Sequence, residues 1–498
     1  MRTRTVLFWL SATVILIVLA ILVIPRFRKP EPAVTLPDWP TQEWRISTPE
    51  EQGFDSAKLA DGLLAIQEQN INIDSLLIIR NGSVILDAYY YPYDGSIPHD
   101  LASVTKSIIT TLIGIAADQG KIQLDQPMLS FFPDRDIANL DSRKESITVR
   151  HLAGMVNGFG SGCMGEDEAT IDKMRAGPDW VQAALDRKMV QEPGEGFCYD
   201  SPGMHILSAI LQESTGMTAL DFARQYLFEP LGIHDVAWES DPQGYTHGWG
   251  DLHMKPRDMA KIGYLWLNNG VWDGRQIVSP DWVQASVKPQ IQTGRDAYGY
   301  GWWVSSDDYY AFGRGGQTIH INPSMKAIVV TTGAGMEYDQ VIPFVLDALV
   351  DPEQAIPQNP EGTARLNDAL AEIMQPAELP VSIPMPGIAR TVSGRVYVFE
   401  PNPLEVESLS VGFDNPSQAT IRLKLENSDT AVEGPIGLDG RYRLASNGWG
   451  LRGHWSGPKT FIFEIFDIGQ FPVQLSFEEE HVVLDAFGTQ IEGRVENP

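Results

Sequence analysis

The clearest pattern in the chain is a helical repeat of apolar residues in segment 100–120. The repeat uses three- and four-residue intervals, which place side chains on one face of a helix. Its members are Leu101, Val104, Ile108, Leu112 and Ile115. Gly120 follows the repeat, and glycine commonly ends helices. The pattern predicts a buried amphipathic helix with Ser103 in its first turn.

The segments around this helix predict strands, then a helical block, then strands again. A helix at 56–69 precedes two strand-like runs, 75–80 and 83–90, joined by Asn81-Gly82, a dipeptide typical of a tight hairpin. Helices punctuated by glycine and proline follow to about residue 287. Short β runs then return at 309–312, 318–321 and 327–332, before a helix at 338–350. This order predicts an α/β (α+β) domain, one sheet flanked by an inserted all-α lobe.

From residue 387 onward the pattern is all β, and a small barrel or sandwich is predicted. Apolar or alternating runs lie at 392–399, 408–413, 419–425, 461–465, 473–477 and 482–486. The proline-rich segment 351–386 surrounds one modest helix and predicts a linker. The expected divisions are 1–29 (membrane anchor), 30–47 (spacer), 48–350 (main domain), 351–386 (linker) and 387–498 (C-terminal β domain).

The N-terminal segment favours a membrane anchor. Residues 6–24 are almost wholly apolar, and about 20 such residues suffice for a helix to cross a bilayer. A cleaved signal peptide is the alternative, but no small-residue cleavage site precedes Arg26. Positive residues flank both ends of the run, so charge does not set the topology. We expect a single-pass protein of the cell membrane with its catalytic domain on the extracytoplasmic side.

Composition argues against a nucleic-acid partner, and it does not decide whether the two cysteines form a disulfide. The chain has 37 Lys plus Arg against 65 Asp plus Glu, a net charge of −28, so no nucleic-acid partner is expected. No His-Glu-x-x-His motif or close Cys/His set is present, and neither a metal site nor a cofactor is predicted. The two cysteines, Cys163 and Cys198, form a disulfide or remain two unrelated buried thiols. The sequence does not indicate an oligomeric state.

Ser103 and Lys106 are the first candidates for chemistry. Residues three apart share a helix face, so a neutral Lys106 amine could take the proton of the Ser103 hydroxyl. The same Ser-x-x-Lys spacing recurs at Ser456 and Lys459, but Gly457 and Pro458 disfavour a buried helix there. For a bare Ser-x-x-Lys match, a surface lysine on a core helix is the commoner situation.

Two further segments supply the groups that such a nucleophile needs. Tyr199, in a turn before a predicted helix, could relay a proton to a leaving group, although a half-buried loop tyrosine is the ordinary alternative. The Ala-Phe-Gly-Arg-Gly-Gly run at 311–316 could bring backbone N–H groups close to a reacting carbonyl, or could be an ordinary β turn. Trp302 and Trp303 are expected to pack in the core, with lining of an apolar cleft as the alternative.

Together these segments resemble the serine β-lactamase and penicillin-binding-protein superfamily. The resemblance is strongest to its class C branch of β-lactamase-related hydrolases, which includes esterases and 6-aminohexanoate-dimer hydrolases. Ser103-Val-Thr-Lys106 is similar to the first motif of that family, Tyr199-Asp-Ser201 to the second, and Ala311-Phe-Gly313 falls where the third is expected. The resemblance covers about residues 48–350 and implies a β-lactamase/transpeptidase-like fold.

The resemblance also implies a mechanism and its residues. Ser103 would be the nucleophile, Lys106 the base and Tyr199 the proton shuttle in hydrolysis of a small-molecule ester or amide through an acyl-serine. The oxyanion and substrate would contact Ser201, Gly313, Arg314 and Gly315. Many relatives carry Lys or His where this chain has Ala311, so recognition of a substrate carboxylate is not expected unless Arg314 replaces that charge. The alternative is a non-catalytic binding or sensory protein that retains the fold, with its acidic C-terminal domain contacting a partner.

Overall fold

The structure is a computed structural model that describes residues 39–160, 165, 167–294, 296–375, 384–426, 431–466, 470–478 and 480–496. Among these residues no helix is both long enough and apolar enough to cross a bilayer. This finding corrects the prediction of a single-pass membrane location and of a membrane partner. The segment that carried the prediction, 1–29, lies outside the described residues.

The helices of the described chain lie mainly between residues 56 and 373. They are α1 Ser56–Glu68, α2 Val104–Asp118, α3 Ser142–Ser146, α4 Val149–Ala153, α5 Asp167–Arg175, α6 Trp180–Leu185, α7 Ser201–Thr215, α8 Ala219–Ala223, α9 Glu229–Leu231, α10 Pro256–Leu267, α11 Pro280–Ser286, α12 Tyr338–Ala348, α13 Pro360–Ile373 and α14 Gly387–Val392. Shorter helical turns occur at Glu50–Gln52, Met128–Phe131, Arg224–Phe228 and Arg314–Gly316.

The strands fall into one large sheet, one barrel and two small sheets. Those before residue 351 are β1 Arg45–Ile46, β2 Ile73–Arg80, β3 Ser83–Tyr89, β4 His99–Asp100, β5 Ala237–Trp238, β6 Leu252–Met254, β7 Val271–Trp272, β8 Arg275–Gln276, β9 Ile291–Gln292, β10 Ala297–Tyr298, β11 Trp303–Val304, β12 Tyr309–Gly313, β13 Gln317–Asn322 and β14 Ala327–Gly333. Those after it are β15 Val396–Phe399, β16 Val406–Asn415, β17 Gln418–Leu425, β18 Val432–Gly437, β19 Arg443–Leu444, β20 Gly450–Trp455, β21 Thr460–Phe466, β22 Gln470–Phe477, β23 His481–Ala486 and β24 Thr489–Val495.

A nine-stranded sheet carries the first part of the chain, in the order β1-β3-β2-β14-β13-β12-β11-β10-β9. All of its pairs are antiparallel except β1 with β3. The hairpin between β2 and β3 turns at Asn81 and Gly82, which both adopt positive φ, as a tight two-residue turn requires. The helical lobe is inserted between β3 and β9. The helices together with this largely antiparallel sheet confirm the predicted α/β (α+β) fold class.

Helices cover both faces of this sheet. Alternate residues of its central strands point to opposite faces and pack in two separate hydrophobic cores. Along β2, Leu77 and Ile79 join the core that contains α2 and α10, while Leu76 and Ile78 join the core of α1, α12 and α13. We call these the inner and outer faces. Helix α13 lies within the predicted linker 351–386, and its Leu366 is buried against the outer-face core. The domain boundaries themselves stay a prediction.

The C-terminal strands form a closed barrel. Nine of them follow one another through antiparallel neighbours from β18 to β20, and β18 pairs with β20 at Gly437 and Arg452 to close the ring; β19 is attached beside β20. The interior is packed with aromatic side chains, including Phe413, Trp455 and Phe461. The predicted barrel-or-sandwich choice is therefore resolved in favour of the barrel.

A small buried cluster joins the barrel to the sheet domain. Tyr93 and Ala334 from the sheet domain pack with Tyr442 and Phe466 from the barrel, and we call this cluster the seam. The Tyr91 hydroxyl donates to the Tyr442 carbonyl oxygen at 2.5 Å. On the sheet-domain side of the seam, Tyr93 lies in the segment between β3 and helix α2, and Ala334 directly follows strand β14.

Candidate active site

Ser103 and Lys106 meet at the start of helix α2. Ser103 is the N-cap residue, yet its hydroxyl makes no capping hydrogen bond. The Lys106 Nζ lies instead 2.7 Å from the Ser103 Oγ and 3.0 Å from the carbonyl oxygen of Trp249. The Lys106 side chain is only 2% exposed, so its amine is enclosed with the hydroxyl. At this distance a proton can pass directly between the two groups.

The carbonyl oxygen that accepts from Lys106 belongs to Trp249, in a loop whose aromatic rings stack on one another. The His247 ring stacks on Trp249 at 4.6 Å and on Trp180 at 5.1 Å, and its Nδ1 lies 2.7 Å from the Asp251 carboxylate. Glu239, His247 and Asp251 bring one potential ligand atom each within 4.8 Å of one another. The hydrogen bond between His247 and Asp251 and the ring stacking hold two of these three residues in place. The loop contacts the Lys106 amine through the Trp249 carbonyl oxygen.

The turn before helix α2 is shaped to present Ser103. Ala102 adopts a φ of 45°, an uncommon conformation for a residue with a side chain, and its N–H donates to the Asp100 carboxylate at 2.8 Å. Gly313, the last residue of β12, lies against this turn. A methyl group on Gly313 would come within 2.5 Å of the Leu101 carbonyl oxygen and 3.0 Å of the Ser103 nitrogen. Only glycine therefore allows β12 to approach the serine so closely.

The loop that follows Gly313 is held in place from the other side. Gly315 and Gly316 have φ values of 88° and 100°, which glycine adopts without strain. The Gly315 carbonyl oxygen accepts N–H groups from Gly335 and Met336 at 3.1 and 3.2 Å. Within the described chain, the Ser103 and Arg314 amides are not used as donors in any backbone or side-chain hydrogen bond. Among the described residues, both of these N–H groups are therefore without a protein acceptor.

Tyr199 lies over the Lys106 amine. The Nζ is 4.8 Å from the centre of the tyrosine ring. Trp303 stacks on the same ring at 6.1 Å with an interplanar angle of 22°, and Phe197 lies at 6.4 Å from it. The structure therefore brings Ser103, Lys106 and Tyr199 together. Trp303 is half-buried beside Tyr199, whereas Trp302 is fully buried in the core.

Asp200 fixes the turn that carries Tyr199. Its carboxylate is fully buried and forms an ion pair with Arg187, while the Asn157 side chain donates to it at 2.9 Å. The Arg187 guanidinium in turn lies 4.2 Å from the centre of the Phe159 ring. Removing one partner of such a buried pair typically costs about 3–5 kcal/mol. The network holds the backbone on either side of Asp200, and so orients both Tyr199 and Ser201.

Ser201 already has a partner. Its N–H and its hydroxyl donate to the two carboxylate oxygens of Asp167 at 2.7 and 2.6 Å. Burial raises the pKa of the Asp167 carboxyl, and the nearby charge of Lys106 opposes that shift. The sequence analysis did not identify Asp167, because it lies 34 residues before Ser201 in an acid-rich segment with no motif spacing.

The remaining predicted contact residues divide into two groups. Gly313 lies against the Ser103 turn, and Arg314 and Gly315 follow it in the chain, but the Arg314 side chain is exposed and lies 3.5 Å from Glu168. Ala311 is fully buried on the inner face. Ala311 therefore presents no cation, and the Arg314 guanidinium lies at the surface beside a carboxylate. Cys198 is fully buried, while Cys163 lies outside the described residues, so the disulfide stays a prediction.

Comparisons with known proteins match the part of the chain that contains the candidate active site. A family model described as Beta-lactamase matches residues 57–341. The 6-aminohexanoate-dimer hydrolase of Paenarthrobacter ureafaciens is 23% identical over 279 residues, covering 52% of this chain and 71% of that protein. Protein flp of Staphylococcus aureus strain COL is 24% identical over 309 residues, covering 55% of this chain and 62% of flp, less than two thirds of its length.

A solved structure gives the same fold. EstCE1, described as a hydrolase with promiscuous acyltransferase activity, matches with a TM-score of 0.51 at 16% identity, covering 59% of this chain and 99% of that chain. At that identity the likeness shows the fold alone. The family match ends at residue 341, before the barrel begins.

Proposed function

Because the chain belongs to the beta-lactamase family, whose matched relatives here include hydrolases, we propose that it is a serine hydrolase that cleaves a small-molecule ester or amide through an acyl-Ser103 intermediate. One observation carries the proposal: the buried Lys106 amine lies 2.7 Å from the Ser103 hydroxyl at the start of a helix. A base held this close is what a serine needs to become a nucleophile near neutral pH.

The proposed first step forms the acyl-enzyme. Ser103 Oγ attacks the substrate carbonyl carbon while Lys106 takes the hydroxyl proton. The carbonyl oxygen becomes an oxyanion that accepts the N–H groups of Ser103 and Arg314. Tyr199 donates a proton to the departing alcohol or amine, and the Lys106 ammonium, close to its ring, can return a proton to Tyr199. A water molecule then attacks the acyl-serine, releasing the acid and restoring the Ser103 hydroxyl.

The charges near Ser103 favour a substrate without a carboxylate next to the scissile bond. Ala311 offers no cation, and the Arg314 guanidinium is paired with Glu168 at the surface. The carboxylate of Asp167 adds negative charge close to Lys106. Neutral esters and amides are therefore proposed as better substrates than carboxylate-bearing β-lactams.

A fluorophosphonate probe with a short alkyl chain tests the proposal. We expect it to label the intact protein at Ser103, located by peptide mapping, and to leave Ser103→Ala unlabelled. Ser456→Ala is the matched control, because it removes the serine of the second Ser-x-x-Lys sequence, and it should label as the parent protein does. Absence of label on Ser103 in folded protein would contradict the proposal and favour the non-catalytic binding alternative.

A further inference from the structure

A cavity of about 470 Å³ lies on the outer face of the sheet, between strands β12 and β13 and helix α12. Its walls include Tyr310 and Phe312 of β12 and Ile342 of α12. Leu346 of the same helix also lines the cavity and is 53% exposed, which places an opening to solvent at α12. A space of this volume that solvent can reach is large enough for a small organic molecule.

Aromatic rings form a row along the cavity wall. Tyr310 stacks on Trp303 at 6.4 Å and on His320 at 5.8 Å. His320 in turn stacks on Tyr338 at 5.2 Å. Rings at these separations are offset, so part of each face stays uncovered. Because the face of an aromatic ring attracts a cation, this wall suits both the apolar body of a ligand and a positive charge.

The ionisable groups of the described lining carry a net negative charge. Burial lowers the pKa of His320 to about 4, so its ring is uncharged near neutral pH. Arg80 directs its guanidinium to backbone carbonyl oxygens, including that of Gln52 at 2.5 Å. Against this one arginine the described lining sets four carboxylates, those of Asp296, Asp308, Glu337 and Asp339. The cavity therefore favours a cationic ligand over an anionic one.

Asp308 has no cationic partner among the described residues. Its carboxylate accepts from the Asn322 amide at 2.5 Å and lies 3.4 Å from the His320 Nε2, and both of these groups are neutral. Its side chain is only 26% exposed, and burial, together with the charge of Asp307, raises its pKa. A partly buried carboxylate without a counterion is unfavourable, and a bound cation would offset that cost.

The Tyr338 hydroxyl is close enough to Asp308 to be affected by its charge. Burial, followed by the charges of Asp308 and Asp339, raises the pKa of Tyr338 well above its usual value. The hydroxyl oxygen is buried and has no hydrogen-bond partner among the described residues. A buried polar group of this kind is normally satisfied by a ligand or by water. The hydroxyl and the Asp308 carboxylate thus offer two acceptor groups to the N–H donors of a ligand.

We propose that this cavity is a binding site for a small organic ammonium ion, with its charge beside Asp308 and the Tyr338 hydroxyl and its apolar part against the row of rings. Ser103, Lys106 and Tyr199 are not among the lining residues, so the site is separate from the candidate active site. The assignment does not depend on the proposed acyl-Ser103 chemistry.

Calorimetric titration of the full-length chain with three compounds of similar shape tests the assignment. Near neutral pH benzylamine is a cation, benzyl alcohol is uncharged and benzoate is an anion. We expect benzylamine to bind at least about tenfold more tightly than benzyl alcohol, and benzoate to bind more weakly than either. Equal affinities for benzylamine and benzyl alcohol, tighter binding of benzoate, or no binding of benzylamine at millimolar concentration would overturn the assignment.

Two neighbouring aspartates provide a matched pair of variants. Asp308→Asn keeps the shape of the side chain and removes its charge, so the affinity for benzylamine should fall by about tenfold while that for benzyl alcohol changes less than about twofold. Asp307→Asn removes a charge from an exposed residue outside the lining, and it should bind benzylamine as the parent protein does. Equal losses in the two variants would mean that the overall negative charge of the protein attracts the amine, and would contradict a site in the cavity.

Two further variants locate the bound amine. Ile342→Trp fills the cavity and should abolish binding of both benzylamine and benzyl alcohol, with circular dichroism as the check on its fold. If this variant does not fold, the Asp308 and Asp307 pair decides the question. Ser103→Ala should bind benzylamine with the affinity of the parent protein. Binding that a folded Ile342→Trp leaves intact, or that Ser103→Ala abolishes, would place the amine elsewhere and overturn the assignment.

Discussion

The chain contains the Ser-x-x-Lys sequence twice, and the two copies have different surroundings. Ser103 and Lys106 begin a helix, with the amine buried and 2.7 Å from the hydroxyl. Ser456 and Lys459 occupy the exposed turn between β20 and β21, where the Ser456 N–H donates to the Thr460 carbonyl oxygen at 3.0 Å. The same four-residue pattern thus produces a serine–lysine pair in one place and a solvated hairpin turn in the other.

The difference shows what the pattern needs in order to have a chemical role. A helix places residues three apart on one face, whereas Gly457 and Pro458 favour a turn in the second copy. Burial then keeps the amine beside the hydroxyl, and the Trp249 carbonyl oxygen holds it there. Variants matched between the two copies can measure each of these contributions.

The largest effect is expected for Lys106→Met. This change removes the amine and keeps a side chain of similar length, so Ser103 loses its base without a large cavity. We expect kcat/KM for an activated ester to fall by about 10³-fold or more. Circular dichroism should show the parent fold. A variant that retains full activity while folded would show that another group activates Ser103.

An intermediate effect is expected for Gly313→Ala. The added methyl group would come within 2.5 Å of the Leu101 carbonyl oxygen, so strand β12 and the Ser103 turn must move apart. We expect kcat to fall by about 10²-fold, because the two N–H donors lose their alignment, and the free energy of unfolding to fall by about 1–3 kcal/mol.

The matched control for that variant is Gly457→Ala in the second copy. A methyl group there would meet nothing closer than the Thr460 Oγ1 at 3.9 Å. Its kinetics and its urea unfolding midpoint should stay close to those of the parent protein. Equal losses of activity in both glycine variants would mean that the close approach at Gly313 has no special role.

The smallest effect is expected for Lys459→Met. Lys459 is exposed in the barrel hairpin, so its loss should change kcat/KM by less than about twofold and the free energy of unfolding by less than about 0.5 kcal/mol. Steady-state kinetics beside Lys106→Met provide the measurement. A loss comparable to that of Lys106→Met would place the barrel hairpin in the catalytic machinery and contradict the assignment of the two copies.

Features set by local sequence could be predicted. Helix α2 follows from its apolar repeat, and the hairpin at Asn81 and Gly82 from its turn residues, since both signals act over a few neighbouring positions. Three strands of the barrel ring were missed, Val432–Gly437, Gly450–Trp455 and Thr489–Val495, and so was the short strand Arg443–Leu444 beside it. Glycine and proline residues weaken the strand pattern in the three ring strands, and all four segments are strands because neighbouring strands pair with them.

Features set by long-range contacts could not be predicted. The sequence analysis grouped Ser103, Lys106 and Tyr199 only because they follow the order of the motifs in the family that the chain resembles. The contact between Asp167 and Ser201 depends on how two helices of the lobe meet, and neither residue signals the other. The cavity of about 470 Å³ likewise lies between β12, β13 and α12. No pattern in any one of these segments indicates an unfilled space between them.

The seam between barrel and sheet domain has a consequence for how such a protein can be inherited. Tyr93 packs on His99 at 4.5 Å, shortly before Ser103 in the chain, and on Phe466 of the barrel at 6.0 Å. Ala334, in the same cluster, immediately precedes the residues that hold Gly315. A recombination event that exchanged one barrel for another would have to preserve aromatic side chains at the positions of Tyr442 and Phe466. Without them, the segment before Ser103 and the segment that begins at Ala334 would lose their packing against the barrel. Hydrolase and barrel are therefore expected to pass between genomes as one unit.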